Sequence, residues 1–459
     1  LRALLALACA YAAYQNHNHS PQKNLCENSA MTRNVYTFLL YLLLPFTPLK
    51  LLWRARSQPE YLQHWRERYG FYSSPTIKPV IWLHCVSVGE TRAAAPLVQA
   101  LLKQYPEHQI LLTHTTPTGR ATSETLFGDS VQRVYLPYDV PFAVKRFLKH
   151  FKPALGVLME TELWFNLIAG CKQQAIPLVL VNARLSEKSA RGYAKLGRLA
   201  QTGLQSLSAI AAQTEADAER LRSLGASNVS VAGNLKFDVM PPNNAAEQGQ
   251  LLRNLLGIHR PVLLAASTRD SEEAMILDAI ASANIPNLLT VIVPRHPQRF
   301  DEVAELLKKR DLSFCRRSEF SLDTVTEEIP GNSVMLGDSM GEMFTYYAAC
   351  DVAFIGGSLL PLGGQNLIEA CTLGKPVLIG PHTFNFAQAT ELAIAAGAAQ
   401  RVQDSMDLAL AIKALFADEP KQQHMATAAL RFSAESRGAT QRTLALITPV
   451  ISRLESQST

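Results

Sequence analysis

Val80-Ile81-Trp82-Leu83-His84-Cys85-Val86-Ser87-Val88-Gly89-Glu90 decides how the rest of the chain is read. An apolar run of strand length ends in a Ser-x-x-Glu pattern and passes into an alanine-rich stretch with the character of a helix. Ser87 and Glu90 form a capping box, in which the hydroxyl takes an N–H of the first helical turn and the carboxylate reaches back to an N–H at the helix start. Strand, turn and helix in that order make the first half of a parallel βαβ unit.

Short β-branched runs alternate with amphipathic stretches on both sides of this segment. Candidate strands are Val80–His84, Ile110–Thr113, Val134–Leu136, Leu155–Met159, Leu178–Val181, Ala209–Ala212 and Val229–Val231. The run MPPNNAAEQG from Met240 to Gly249 has linker composition. A second series then begins: Val262–Ala266, Leu289–Val293, Val334–Leu336, Val352–Ile355 and Val377–Ile379. The reading is an α/β protein with two doubly wound domains facing a central cleft, where ligands sit beyond the carboxyl ends of the strands.

The composition fits that reading. A chain of 459 residues with 47% apolar and 18% charged content can bury two cores. A formal charge of +5, with no basic run interleaved with aromatics, argues against nucleic acid and suits anionic lipid or phosphate. Seven scattered cysteines, without C-x-x-C or metal-ligand spacing, fit a reduced compartment and no protein-bound metal. Residues 1–30 read as a non-native or disordered extension ahead of a start at Met31, with a signal peptide as the alternative. Val35 to Trp53, VYTFLLYLLLPFTPLKLLW, is broken only by Pro45, Pro48 and Lys50, and is marginal for a bilayer span. Arg54, Arg56, Arg66 and Arg68 follow it and would keep the globular part on the cytoplasmic side. A half-inserted interfacial helix and a buried core helix are the alternatives.

Candidate chemistry lies after the strands. Glu90 is either a helix cap or a general base. Glu160 and Glu162 follow the fourth strand, where paired carboxylates raise each other's proton affinity while a first-turn position would suit the helix dipole. Arg184 and Lys236 supply cations at two further strand ends, either solvated or set against carboxylate or phosphate. In the second half, Pro294-Arg295-His296-Pro297 follows a strand. Gly356-Gly357-Ser358 and Gly363-Gly364 bracket a loop entering a helix near Asn366, with Glu369 in its first turn, where backbone N–H groups could meet a phosphate. Gly337-Asp338-Ser339-Met340-Gly341 matches a nucleophile elbow, with Asp351 and His382 downstream, so a serine hydrolase is a rival reading.

VSVGE (86–90), TPTG (116–119), VYLPYD (134–139), METELW (159–164), NARLS (182–186), GNLKFD (233–238), VPRHP (293–297), MGE (340–342) and GPHTFNF (380–386) together resemble one family. It is that of the 3-deoxy-D-manno-octulosonic acid (Kdo) transferases, and the likeness runs from about Met31 nearly to the C-terminus. The resemblance implies a GT-B fold: 31–56 a membrane anchor, 57–240 an acceptor domain for lipid A precursor, and 250–459 a domain for CMP-Kdo, with the last helices able to cross back. It implies that Glu90 is the proton acceptor and that Glu160 and Lys236 stabilise the transition state. CMP contacts would come from Pro294, Arg295, Met340, Gly341, Glu342, Asn366, Leu367, Ile368 and Glu369. It implies no cofactor and no metal ligand in the protein, with the catalytic domains on the cytoplasmic face of the inner membrane. Where relatives tend to read RGGHNPLE, this chain has Leu362 to Glu369 as LGGQNLIE. Where they tend to read STHEGEE, it has STRDSEE from Ser267 to Glu273. A sugar-nucleotide epimerase and a silent nucleotide-sugar-binding scaffold are further alternatives.

Overall fold

The computed structural model describes residues 31–73, 78–322, 328–329 and 333–458, with backbone alone for 453–458. The extension expected over 1–30 lies outside the described residues. The chain forms two units, one running to Asp238 and resuming at Arg437, the other Val239–Ser436.

In the first unit seven parallel strands stand in the order β3-β2-β1-β4-β5-β6-β7. They are β1 (Val80–His84), β2 (Gln109–His114), β3 (Gln132–Tyr135), β4 (Pro153–Met159), β5 (Leu178–Ala183), β6 (Ala209–Ala212) and β7 (Val229–Val231). Neighbouring residues of a strand face opposite ways, and both faces are covered. Trp82, Leu158 and Leu180 pack on one side with Phe147, Ile168 and Leu204 from three helices. Ile81, Leu83, Val157 and Val181 pack on the other with Leu97 and, from the helix Ala439–Ser458, Ile447 and Ile451. Apolar side chains on both faces explain why these strands read as unbroken hydrophobic runs. Gly156 leaves room for Trp82, since a Cβ there would lie 2.8 Å from the indole Cε3.

The N-terminal segment is a helix Arg33–Leu43, a 3₁₀ turn Leu44–Phe46 at Pro45, and a helix Thr47–Ala55. Arg33–Ala55 is long and apolar enough to cross a membrane. Tyr36 and Leu51 are buried, but Phe38, Phe46, Leu49 and Trp53 are each more than half exposed, which is not how a core helix presents its side chains.

The second unit repeats the architecture in the order β10-β11-β9-β8-β12-β13-β14. Its strands are β8 (Val262–Thr268), β9 (Leu289–Pro294), β10 (Phe314–Arg316), β11 (Val334–Leu336), β12 (Val352–Ile355), β13 (Val377–Ile379) and β14 (Ala399–Arg401). Two of these, β10 and β14, were not expected. Each is a three-residue edge strand, FCR and AQR, and neither carries an apolar run.

Candidate active site

The strand order reverses direction of growth between β1 and β4 in the first unit, and between β8 and β12 in the second. Such switch points open a crevice at the carboxyl edge of a sheet. The first turn of the helix after β1 carries Glu90, and the loop leaving β4 carries Glu160.

Ser87 caps the helix Val88–Gln104, its Oγ accepting the Glu90 N–H at 3.3 Å. The Glu90 carboxylate accepts from the Val86 N–H at 2.7 Å and from the Ser87 hydroxyl at 3.0 Å. The Ser87 half of the capping box is formed, while the carboxylate reaches one residue further back than a capping box requires, to Val86 rather than to Ser87. Glu90 is buried nonetheless, and burial, followed by the charge of Glu160, pushes its carboxyl up to about 8 against the pull of those two bonds. A structural cap needs no such proton affinity, whereas a base working near neutrality does.

Glu160 takes a left-handed backbone (φ 55°), a conformation that costs a non-glycine residue energy and gathers at functional sites. Its N–H donates to the Val181 carbonyl at 2.9 Å. Two residues on, burial raises the Glu162 carboxyl to about 7. The METELW segment therefore presents acidic groups beside β1 instead of feeding a helix directly, since the helix begins only at Phe165. Arg184, after β5, is exposed, and its carbonyl accepts from the Thr161 hydroxyl. Lys236 is half-buried in the 3₁₀ turn Leu235–Asp238 beyond β7. Glu90, Glu160 and Lys236 thus all stand at the carboxyl edge of one sheet.

Several polar groups here went unassigned in the sequence reading. His84 and His114, at the ends of β1 and β2, are buried, and burial lowers them to about 3 and about 4, so both are neutral near pH 7. Asp139, from VYLPYD, accepts the Tyr36 hydroxyl at 2.8 Å and the Asn166 and Leu167 N–H groups at 3.1 and 2.8 Å. It joins the apolar N-terminal helix to the helix that follows METELW.

In the second unit Pro294 ends β9, and the Arg295 N–H donates to the Thr268 carbonyl at 2.9 Å. Burial and the charges of Arg269, Arg295 and Arg299 lower His296, although Arg299 is itself paired with Asp270, Glu273 and Glu302. The glycine loop differs from expectation. Glu272 is fully buried and its carboxylate accepts the N–H groups of Gly357, Ser358 and Leu359 at 2.5, 2.9 and 3.0 Å. Those N–H groups are spent on a carboxylate and do not form a phosphate cradle. Gly363 and Gly364 have φ of +95° and +71°, and a Cβ on Gly363 would collide with Asn385 of the GPHTFNF segment. The helix expected near Asn366 is the five-residue Ile368–Thr372. Asn366 braces it, accepting the Ile368 N–H at 3.1 Å and donating to Glu369 at 3.0 Å. Leu367 and Ile368 are fully buried.

Met340 is exposed, Gly341 has open space around it, and Glu342 pairs with Arg317 at 2.8 Å. Ser339 donates to Glu342 and shares a 2.5 Å bond with Tyr346 Oη. Asp351 lies at the amino end of β12, held by Arg253 at 3.1 Å and the Val262 N–H at 2.8 Å, while Ser339 follows the carboxyl end of β11. These are opposite edges of a parallel sheet, so the Ser-Asp-His elbow does not form and the hydrolase reading fails. Among the described residues no three His, Cys, Asp or Glu side chains group as for a metal ion.

A sequence model of the 3-deoxy-D-manno-octulosonic-acid transferase (kdotransferase) family matches residues 63–239. The 3-deoxy-D-manno-octulosonic acid transferase of Bordetella pertussis is 45% identical over 434 residues, covering 90% of this chain and 98% of that protein. The enzyme of the same name from Haemophilus influenzae is 39% identical over 432 residues, covering 92% and 100%. The crystal structure of UDP-GlcNAc 2-epimerase from Neisseria meningitidis superposes with a TM-score of 0.54 at 16% identity, covering 81% of this chain and 100% of that one. That likeness extends to the GT-B-type fold and no further, so the epimerase reading gains nothing from it. With identity of this degree along nine-tenths of its length, the chain belongs to the 3-deoxy-D-manno-octulosonic acid transferase family and is a glycosyltransferase.

Proposed function

We propose that the chain transfers Kdo from CMP-Kdo to a glucosamine hydroxyl of lipid A precursor, with inversion, and that Glu90 is the general base. The observation that carries this reading is a buried carboxyl at the β1/β4 switch point with its proton affinity raised to about 8. The acceptor hydroxyl gives its proton to Glu90 as its oxygen bonds to the anomeric carbon. The bond from that carbon to the CMP phosphate breaks, its electron pair leaving with CMP. Lys236 offsets the charge that grows on the phosphate or sits on the sugar carboxylate, and preorganised groups of this kind contribute about 3 kcal/mol each in a dry site. Glu160 contributes its negative charge, which keeps Glu90 basic and suits a positively charged, oxocarbenium-like anomeric centre. We assign the acceptor to the first unit and CMP to the second, through Pro294-Arg295, Met340 to Glu342 and Asn366 to Glu369. No residue role in this scheme calls for a cofactor.

Membrane attachment follows from the same reading. The exposed apolar segment Arg33–Ala55 would enter the cytoplasmic leaflet of the inner membrane. Beside it a groove of about 1030 Å³ is lined by Arg33, Lys145, Lys149 and Lys152, suited to anionic headgroups. The test is to incubate the purified full chain with CMP-Kdo and tetraacylated lipid A precursor and to weigh the products. A mass gain of whole Kdo units on the lipid supports the reading. CMP release without a lipid product, or binding of CMP-Kdo without turnover, would refute it.

A further inference from the structure

β5 does not end as a regular strand. Its pairing with β6 slips between Leu180 and Ala183, and Asn182, at the slip, has φ of 54°. A bulge of this kind re-aims a side chain, and Asn tolerates the left-handed region better than most residues. Asn182 is fully buried. Its carbonyl accepts from Gln213 Nε2 at 3.0 Å, and its side-chain Oδ1 accepts the Leu235 N–H at 3.0 Å. It therefore reaches past the end of β6 to the loop leaving β7.

Leu235 opens the 3₁₀ turn that carries Lys236. The Lys236 N–H is taken by Asn234 Oδ1 at 3.0 Å. At the far end of the turn the Asp238 carboxylate accepts the N–H groups of Gly438 and Ala439 at 2.7 and 3.3 Å, and that of Thr440. The turn is clamped at both ends, by Asn182 from the end of β5 at its start and through Asp238 at its finish.

We propose that Asn182 is a positioning residue for Lys236, holding the turn so that the ammonium group meets the developing charge. The proposal rests on the reading of Lys236 as a transition-state cation. Asn182 contributes the acceptor oxygen, whereas its Nδ2 has no partner among the described residues. An Asp at this position keeps that acceptor and loses no bond. A Gly keeps the backbone conformation without strain and removes the acceptor.

The experiment compares Asn182→Gly, Asn182→Asp, Lys236→Met and the double variant N182G/K236M in the full chain, with folding checked by thermal unfolding and circular dichroism. Misplacement of a reacting group by about 1 Å can cost on the order of 100-fold, so N182G should lower kcat by at least about tenfold, with KM for the lipid acceptor little changed. N182D should recover most of that loss. On the K236M background the glycine should cost nothing further, because two residues acting through one group are not additive. An equal fractional loss on both backgrounds overturns the positioning role, as does full activity of N182G beside an impaired K236M. Full activity of K236M overturns the reading of Lys236 and the positioning role with it. If N182G does not fold, Asn182→Ser, whose hydroxyl stops short of the Leu235 N–H, replaces it with the same outcomes.

Discussion

Glu90 joins a contact at a helix start to the role of base proposed for it. The Ser87 cap written in Ser87-x-x-Glu90 is present, with the Glu90 carboxylate reaching back to the Val86 N–H, and the same carboxylate is buried, with its carboxyl raised to about 8 by burial and by the charge of Glu160. A base must be deprotonated to act, so kcat/KM should fall about tenfold per pH unit below about 8 and level off above it. A steady-state profile between pH 5.5 and 9.5 reads this directly. Because the Glu160 charge raises Glu90, Glu160→Gln should move that limb to lower pH as well as slow the reaction, and a limb that stays in place would remove Glu160 as the cause. The cap was legible from local spacing. The proton affinity was not, because it depends on burial and on a carboxylate seventy residues away. Glu272 was unreadable for the same reason: its partners at Gly357, Ser358 and Leu359 lie beyond β12, and nothing in STRDSEE points to them.

Secondary-structure elements were legible where apolar side chains cover both faces of a strand, and illegible at the edges. β1, β4, β5 and β8 are buried along almost their whole length, while β10 and β14 pair on one side only and carry polar residues. Packing around β1 gives a stability prediction. Trp82 is fully buried against Phe147, and its indole N–H donates to Thr113 Oγ1 at 2.8 Å. Trp82→Ala should cost about 3–5 kcal/mol, and Gly156→Ala should also destabilise because it drives a methyl into the same ring. Chemical unfolding followed by near-UV circular dichroism, which reports the first unit through its tryptophans, measures both. In the second unit Glu272→Ala would strand four N–H groups, those of Arg269, Gly357, Ser358 and Leu359, at about 1–3 kcal/mol each, so its unfolding should shift to clearly lower denaturant while β1 reporters stay in place.

At the scale of the whole molecule, the doubling of the fold was visible from the restart at Val262, although the run 240–249 read as linker is irregular only to Asn244 and then opens the helix Ala245–Leu256. The return of the helix Ala439–Ser458 to the first sheet was suggested by the family resemblance alone, since amphipathic spacing does not say which sheet a helix covers. The exposed apolar side chains of Arg33–Ala55 and the cations beside them belong to this scale too. Neutralising Lys145, Lys149 and Lys152 together should weaken binding to vesicles rich in phosphatidylglycerol by on the order of 100-fold, at about 1 kcal/mol per charge, and leave binding to zwitterionic vesicles unchanged. Flotation at low and high salt checks it, the difference shrinking as salt rises.

Glutamine substitutes for glutamate in a capping box but cannot take a proton, so Glu90→Gln separates the two roles of that side chain. The decisive measurement is the rate of Kdo transfer from CMP-Kdo to tetraacylated lipid A precursor by this variant, beside its thermal unfolding. The account predicts a midpoint within about 4 °C of the parent and a rate at least about 100-fold lower. A folded Glu90→Gln protein that transfers at the parental rate would contradict it.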